Sequence, residues 1–116
     1  MAWKWPFSFK RTPKPEPVIP EGHVRVRLSY TGKVQAVGFR FTVDACAEQA
    51  GVTGWVKNMY DGSVLCEAQG TPEQLARFKR LVQEAMDSPK TWIQGRLASK
   101  ESIPPKAEDR FSILNL

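Results

Sequence analysis

The sequence has few of the residues that build metal sites and disulfide frameworks. Its two cysteines, Cys46 and Cys66, lie twenty positions apart and form no CxxC pair, and its single histidine is His23. These counts are too low for a disulfide scaffold or a cysteine-based zinc site. We therefore expect a reduced, cytoplasmic protein with buried thiols that uses no metal and no other cofactor.

Long apolar segments are also missing. No stretch approaches the ~18 apolar residues that span a bilayer, which predicts that the chain has no transmembrane segment. Four aromatic residues lie near the start, but Lys4, Pro6 and Lys10 interrupt them, so they do not form the apolar core of a secretory signal. These aromatic and basic residues suit either a contact with a membrane surface or a disordered arm, and the second interpretation is favoured.

The prolines are unevenly distributed and mark a boundary. Five of the nine lie within the first twenty residues, at Pro6, Pro13, Pro15, Pro17 and Pro20. Alternating prolines favour an extended backbone over a helix, so residues 1–22 are predicted to form a flexible, proline-rich arm. The remaining residues, 23–116, suffice for one compact domain, which we expect to be monomeric.

The net charge does not by itself point to a polyanionic partner. The chain has 17 basic and 12 acidic residues, a net charge of +5, with both signs interspersed, which is typical of a soluble surface. The segment Gly38–Phe41 superficially resembles the aromatic motif of RNA-recognition domains, but it falls at the predicted start of a helix instead of on a sheet. We expect no specific nucleic-acid partner.

Apolar periodicity predicts the first four elements of the domain. Every second residue over Val24–Tyr30 is apolar, the period of a half-buried strand. Apolar residues over Phe39–Ala50 recur at three- and four-residue spacing and predict a helix that Gly51 ends. Two short runs, Gly54–Lys57 and Ser63–Ala68, flank an Asp-Gly turn and predict a β-hairpin.

A second helix has the strongest local signals. Thr71 and Gln74 have the spacing of a capping box, and Ser88 precedes a proline that ends the helix. Two last strands are predicted near Trp92–Leu97 and Phe111–Leu114. The predicted fold class is therefore α+β, a ferredoxin-like split βαβ sandwich with two helices on one face of a mostly antiparallel five-stranded sheet. Four aromatic residues are expected in the core: Trp55, Phe78, Trp92 and Phe111.

The segment between the first strand and the first helix is the first candidate site. It runs from Gly32 to Gly38, and consecutive N–H groups in such a loop, beside a helix N-terminus, make a concave anion site. Arg40 adds a forked, permanently charged donor for phosphate or carboxylate. The segment equally suits an ordinary strand-to-helix turn with Arg40 pointing into water, and loop chemistry alone does not separate these interpretations.

Asn58, at the end of a predicted strand, is the second candidate. As a turn residue it tolerates a left-handed backbone, and from its position alone this is the favoured interpretation. As a functional residue, its amide can accept one hydrogen bond from a water molecule and donate another.

These two segments together resemble the acylphosphatase family. The resemblance rests on Gly32-x-Val34-Gln35-x-Val37-Gly38-Phe39-Arg40, then Gly54-Trp55-Val56-Lys57-Asn58, then Asp61-Gly62-Ser63-Val64, and it extends from about His23 to Ile113. It implies that Arg40 binds the phosphate of a small acyl phosphate and that Asn58 positions the attacking water. The backbone N–H groups of the loop Val34, Gln35, Ala36, Val37, Gly38 and Phe39 are expected to hold the phosphate oxygens. The family hydrolyses the carboxyl–phosphate bond without a metal or a covalent intermediate.

One position departs from the family pattern. Where the family has a glycine, this chain has Ala36, and a positive φ there costs an alanine on the order of 1–2 kcal/mol. Despite this departure, the two motifs make an acylphosphatase, a hydrolase acting on acid anhydrides, the leading hypothesis. The alternative is a catalytically impaired acylphosphatase-like domain that binds an anion or a partner.

Overall fold

The protein consists of two helices packed on a five-stranded sheet. The computed structural model describes residues 18–35 and 38–114, within which the elements follow in a β-α-β-β-α-β-β order. Their bounds are β1 (Val24–Lys33), α1 (Phe39–Ala50), β2 (Thr53–Asn58), β3 (Val64–Gly70), α2 (Pro72–Asp87), β4 (Gln94–Ile103) and β5 (Phe111–Leu114). This order confirms the α+β fold class predicted from the sequence.

The sheet has the strand order β4-β1-β3-β2-β5. β1 runs antiparallel to both of its neighbours, and β2 and β3 form the predicted antiparallel hairpin, with Asn58 opposite Val64. Only the pairing of β2 with β5 is parallel among the described strands. The carboxyl end of β2 therefore lies beside the end of the last strand, an arrangement that matters for the candidate site.

The hydrophobic core fills the space between the helices and one face of the sheet. The apolar residues of β1 that face it are Val26, Leu28 and Tyr30, whereas Val24 is 43% exposed. From α2, the buried side chains are Leu75, Phe78, Val82 and Met86. Cys46 and Cys66 are both buried free thiols, as expected, and burial raises the pKa of each.

The two helices begin in different ways. At α2, Thr71 Oγ1 accepts a hydrogen bond of 3.1 Å from the Gln74 N–H, and Gln74 Oε1 accepts one of 2.9 Å from the Thr71 N–H. This reciprocal pair is the predicted capping box. At α1, the cap is Gly38, which has no side chain and offers the first-turn N–H groups no side-chain acceptor.

The predicted bounds of the fourth strand were wrong, and so was the expectation that Trp92 lies in the core. The strand runs over Gln94–Ile103 instead of Trp92–Leu97, and Trp92 precedes it with 85% of its surface exposed. Ile93, which is 4% exposed, takes the buried position beside it. Of the other aromatic residues expected in the core, Phe78 is buried, while Trp55 and Phe111 are half-buried.

The sheet face opposite the helices carries a cluster of buried charges. Arg25 is only 2% exposed, and its guanidinium contacts Glu67 Oε1 at 2.9 Å and Glu108 Oε1 at 2.8 Å. Arg27 donates to the second oxygen of Glu67 at 2.9 Å. The segment that joins β4 to β5 covers this end of the face, since Gln69 exchanges two hydrogen bonds with the backbone of Lys106. The alternation of apolar and polar residues predicted that β1 is buried on one face only, so it did not predict the burial of Arg25 on the other face.

Parts of the sequence-based interpretation lie outside the described residues. These include residues 1–17 of the predicted arm, and Ala36 and Val37 of the predicted loop. Val18 and Ile19, the first described residues, are exposed. In the described part of the chain, neither helix has the length and apolar character needed to cross a membrane.

Candidate active site

A pocket lies where α1 begins, at the ends of β1 and β2. Its volume is about 250 Å³, small enough for a ligand of a few heavy atoms. It is lined by Val34, Gly38, Phe39, Arg40, Phe41 and Asn58. The two side chains singled out in the sequence, Arg40 and Asn58, thus line the same pocket although they are separated by a helix and a strand.

The predicted loop is fixed at both ends by buried side chains. Val34, directly after β1, is 1% exposed, and Phe39, the first residue of α1, is also 1% exposed. The ring of Phe39 packs edge-to-face on Tyr30, with centroids 5.3 Å apart. Because Phe39 is held in the core, the next residue, Arg40, has a fixed position at the rim of the pocket.

The N-terminus of α1 has the character of an anion site. Gly38, with φ of +76°, ends the loop in a left-handed conformation. The first turn of α1 contains no acidic residue and receives no side-chain cap. The first N–H groups of a helix have no intrahelical acceptor and carry partial positive charge, so they favour an anion at this end.

Arg40 is held by the last strand. Its Nη1 donates a hydrogen bond of 2.9 Å to the carbonyl oxygen of Leu114, at the end of β5. A guanidinium has five N–H donors in a planar fork, a shape that can contact more than one acceptor at once. The local motif did not predict this contact with Leu114, which lies 74 positions away.

Asn58 is the last residue of β2 and is half-buried at the pocket. Its side-chain oxygen is buried, and no described residue donates a hydrogen bond to it. A buried amide oxygen without a donor is unfavourable by roughly 1–3 kcal/mol, and Asn58, the residue that carries this oxygen, is among the lining residues of the pocket.

Gln35 contributes a side-chain interaction that the sequence analysis missed. Residues of the predicted loop were expected to act through their backbone N–H groups, but the Gln35 amide donates hydrogen bonds to the carbonyl oxygens of Met59 and Ser63, at 2.7 and 2.8 Å. These two carbonyls are at the ends of the turn between β2 and β3. Gln35 therefore ties the loop to the hairpin that carries Asn58.

The turn itself is closed by Asp61 and Ser63. The Asp61 carboxylate accepts hydrogen bonds from the Ser63 hydroxyl at 2.6 Å and from the Ser63 N–H at 2.9 Å. These bonds lower the pKa of Asp61, the side-chain bond having the larger effect. The turn thus has an ionised, internally bonded carboxylate near neutral pH.

Phe41 was not predicted to belong to the site. It follows Arg40 in the first turn of α1, lines the pocket, and keeps 68% of its surface exposed. An exposed aromatic ring at the rim of a polar pocket gives one wall of it an apolar character.

The chemistry of the lining residues suits binding an anion and orienting a water molecule. Among the described lining residues there is a cation, a helix N-terminus and an amide, but no carboxylate, imidazole or thiol. No group of three or more His, Cys, Asp or Glu residues in the described ranges is placed to hold a metal ion.

Comparisons with known proteins identify the family of this chain. The sequence profile of the acylphosphatase family matches residues 26–113. An acylphosphatase of Lactiplantibacillus plantarum is 34% identical over 90 residues, which cover 78% of this chain and 97% of that protein. One of Synechococcus sp. is 37% identical over 90 residues, covering 78% and 92%. The crystal structure of the acylphosphatase from Bacillus subtilis superposes with a TM-score of 0.64 at 31% identity, covering 78% of this chain and 98% of that one. The chain therefore belongs to the acylphosphatase family of hydrolases.

Proposed function

We propose that this protein hydrolyses the carboxyl–phosphate bond of small acyl phosphates, releasing a carboxylate and inorganic phosphate. Arg40 and the N–H groups of the loop Val34–Phe39 hold the phosphoryl oxygens, and Asn58 positions the attacking water. The family assignment supports the reaction class, and the pocket geometry supports the roles of the residues.

Binding comes from positive charge that is already in place. Arg40 donates to the Leu114 carbonyl and Phe39 packs on Tyr30, so the guanidinium and the start of α1 are both anchored before the phosphoryl group enters. Donors that are fixed before the reaction stabilise the transition-state charge more than mobile ones do. For phosphoryl transfer, such positioning and electrostatic stabilisation supply most of the catalysis.

The attacking water is held by Asn58. Its buried side-chain oxygen accepts a hydrogen bond from the water, which leaves an oxygen lone pair directed at phosphorus. The new bond forms between the water oxygen and phosphorus while the bond between phosphorus and the carboxyl oxygen breaks. The carboxylate leaves with the electron pair of that bond.

The proton of the water passes to a phosphoryl oxygen of the substrate. The described residues that line the pocket include no side chain that acts as a general base near neutral pH. A carboxylate is a weak base and leaves without being protonated, so a general acid is unnecessary as well.

The single observation that carries this proposal is that Arg40 and Asn58 line one pocket, where no described residue donates a hydrogen bond to the side-chain oxygen of Asn58. Arg40 and Asn58 lie 18 positions apart in the sequence, and the fold brings both to this pocket.

Hydrolysis of benzoyl phosphate tests the proposal. We expect turnover by the native protein and a loss of about 10²- to 10³-fold in kcat/KM for Arg40→Gln and for Asn58→Ala. Gln83→Ala, at an exposed position on α2, is the matched control and should keep the native rate. Equal rates in all four proteins would contradict the assigned roles.

The alternative function is a catalytically impaired domain that retains the anion pocket. Such a domain shows no turnover, but phosphate or sulfate protects it from thermal unfolding. The Ala36→Gly variant links the two possibilities: a large rise in rate means that Ala36 impairs the loop, and an unchanged rate means that it does not. We also propose that the protein is a monomer and lies in the cytoplasm. Size-exclusion chromatography tests the first statement, and cell fractionation tests the second.

A further inference from the structure

Gln35 connects the two halves of the site through its side chain. Both hydrogens of its amide are used: one reaches the Met59 carbonyl at 2.7 Å and the other the Ser63 carbonyl at 2.8 Å. Gln35 follows Val34, which lines the pocket, and Met59 follows Asn58. The connection thus joins residues directly adjacent to the two walls of the pocket.

The acceptors of Gln35 belong to a turn that is already closed. The Met59 N–H donates to the Ser63 carbonyl at 2.9 Å, and the Met59 carbonyl accepts from the Gly62 N–H at 3.2 Å. Asp61 adds its two bonds to Ser63. Because the turn holds its own shape, the amide of Gln35 is not needed to fold it and instead fixes its place relative to the loop.

We propose that Gln35 is a positioning residue that sets the distance between the phosphate-binding loop and the water held by Asn58. This inference rests on the proposed function. In-line attack requires the water oxygen and the phosphorus to meet at the right separation and angle, and a misplacement of about 1 Å lowers the rate by about 10²-fold. The loop binds the phosphoryl group, the hairpin holds the water, and Gln35 joins the two parts.

The inference predicts a specific kinetic signature. A change confined to the Gln35 side chain keeps Arg40, the N-terminus of α1 and the backbone N–H groups of the loop, so ground-state binding changes little. The alignment of the water changes, and with it the rate of the chemical step. A loss in kcat without a matching rise in KM is the signature of an interaction that acts in the transition state.

Two substitutions of similar shape separate positioning from charge. Gln35→Glu replaces the Nε2 group, which carries both donor hydrogens, by one carboxylate oxygen that faces the Met59 and Ser63 carbonyls, and Gln35→Met removes the donors without adding charge. We expect each to lower kcat for benzoyl phosphate by about 10- to 100-fold, with KM and the inhibition constant of inorganic phosphate within about threefold of native.

The pH dependence provides a second readout. A protonated carboxyl at position 35 donates one hydrogen bond to a carbonyl, so the kcat of Gln35→Glu relative to native should rise several-fold as the pH falls towards 5. Gln35→Met has no such group, and its ratio to native should not depend on pH. Gln83→Glu, an exposed residue on α2, controls for the added negative charge and should behave as native throughout.

The outcomes are distinguishable from those of the proposed function. Three results would each overturn the positioning role. The first is a native-like kcat in both Gln35 variants, and the second is a rise in KM with kcat unchanged. The third is a lower kcat with an equally large rise in KM, together with a lower melting temperature. In those cases native turnover leaves the proposed function intact. A native protein that does not hydrolyse benzoyl phosphate or another acyl phosphate overturns both.

Discussion

The guanidinium of Arg40 donates a hydrogen bond of 2.9 Å to the carbonyl oxygen of Leu114, which joins the start of α1 to the end of the last strand. β5 is paired in parallel with β2, with Leu114 opposite Lys57, the residue before Asn58. The position of Arg40, the proposed phosphate-binding residue, therefore depends on the same strand pair that carries Asn58, the residue proposed to position the water. The order of the sheet, and not only the local motif, builds the site.

Arg40→Lys tests how far the forked shape of the guanidinium matters. A lysine keeps the charge, but its single ammonium cannot both hold the Leu114 carbonyl and approach a phosphate with paired N–H groups. We expect KM for benzoyl phosphate and the inhibition constant of inorganic phosphate each to rise about tenfold. Steady-state kinetics measure both, with Arg77→Lys on the exposed side of α2 as the control. Native constants for Arg40→Lys would show that charge alone suffices.

Phe41→Ala tests the apolar wall of the pocket. The ring lines the pocket and is 68% exposed, so an aromatic acyl group can cover part of it. Losing a contact of about 1 kcal/mol raises KM for benzoyl phosphate about fivefold and leaves KM for acetyl phosphate unchanged. Tyr60→Ala, at a residue that is 94% exposed in the adjacent turn and does not line the pocket, is the control. Equal effects on both substrates would mean that Phe41 does not contact the acyl group.

Glu67 makes stability depend on pH at the acidic end. Burial by itself raises the pKa of this carboxyl, but the hydrogen bonds from Arg25 and Arg27 outweigh it and hold the pKa below the ordinary value of 4.5. As the pH falls below that value, the unfolded chain binds a proton before the folded protein does. The stabilisation is therefore complete above about pH 4.5 and is lost as the pH falls through the lowered pKa.

Glu67→Gln should remove this dependence. At pH 7 we expect the free energy of unfolding to fall by about 3 kcal/mol, because Arg25 loses one partner of a buried ion pair. The difference from native should shrink steadily below pH 4.5, as measured by urea unfolding at several pH values. Glu101→Gln, which removes an exposed partner of Arg27, should lower the stability by less than about 1 kcal/mol. A pH-independent difference would assign the acid sensitivity to other groups.

Local signals in the sequence were sufficient for the elements that make their own contacts. The capping box of Thr71 and Gln74 and the hairpin between β2 and β3 are encoded within a few residues, and both are present. β4 was mispredicted because its residues are nearly all exposed and show no apolar alternation. It forms because its backbone pairs with that of β1, from Arg25 opposite Ile103 to Lys33 opposite Gln94. The sequence of β4 alone contains no pattern that predicts this pairing.

For the candidate site too, local motifs were predicted correctly and long-range contacts were not. The motif pointed to Arg40 and Asn58, and both line the pocket. The bonds from Gln35 to Met59 and Ser63 join residues 24 and 28 positions apart, and the bond from Arg40 to Leu114 joins residues 74 apart. Such contacts follow from the sheet topology, so a single sequence does not reveal them.

Gly38→Ala separates the stability of the fold from the geometry of the anion site. Gly38 has φ of +76°, and apart from its chain neighbours no described residue lies within 4 Å of the position of an added Cβ, so we expect the alanine to meet mainly backbone strain. Gly22 has φ of +78° and equally open surroundings, but it precedes β1, at the other end of that strand from the pocket. Each substitution should lower the free energy of unfolding by about 1–2 kcal/mol, seen as a fall in Tm of roughly 5–10 °C. Only Gly38→Ala turns the N–H groups at the start of α1, so only this variant should weaken the inhibition by inorganic phosphate, by about tenfold. If the two variants bind phosphate equally well, the N-terminus of α1 does not contribute to the site.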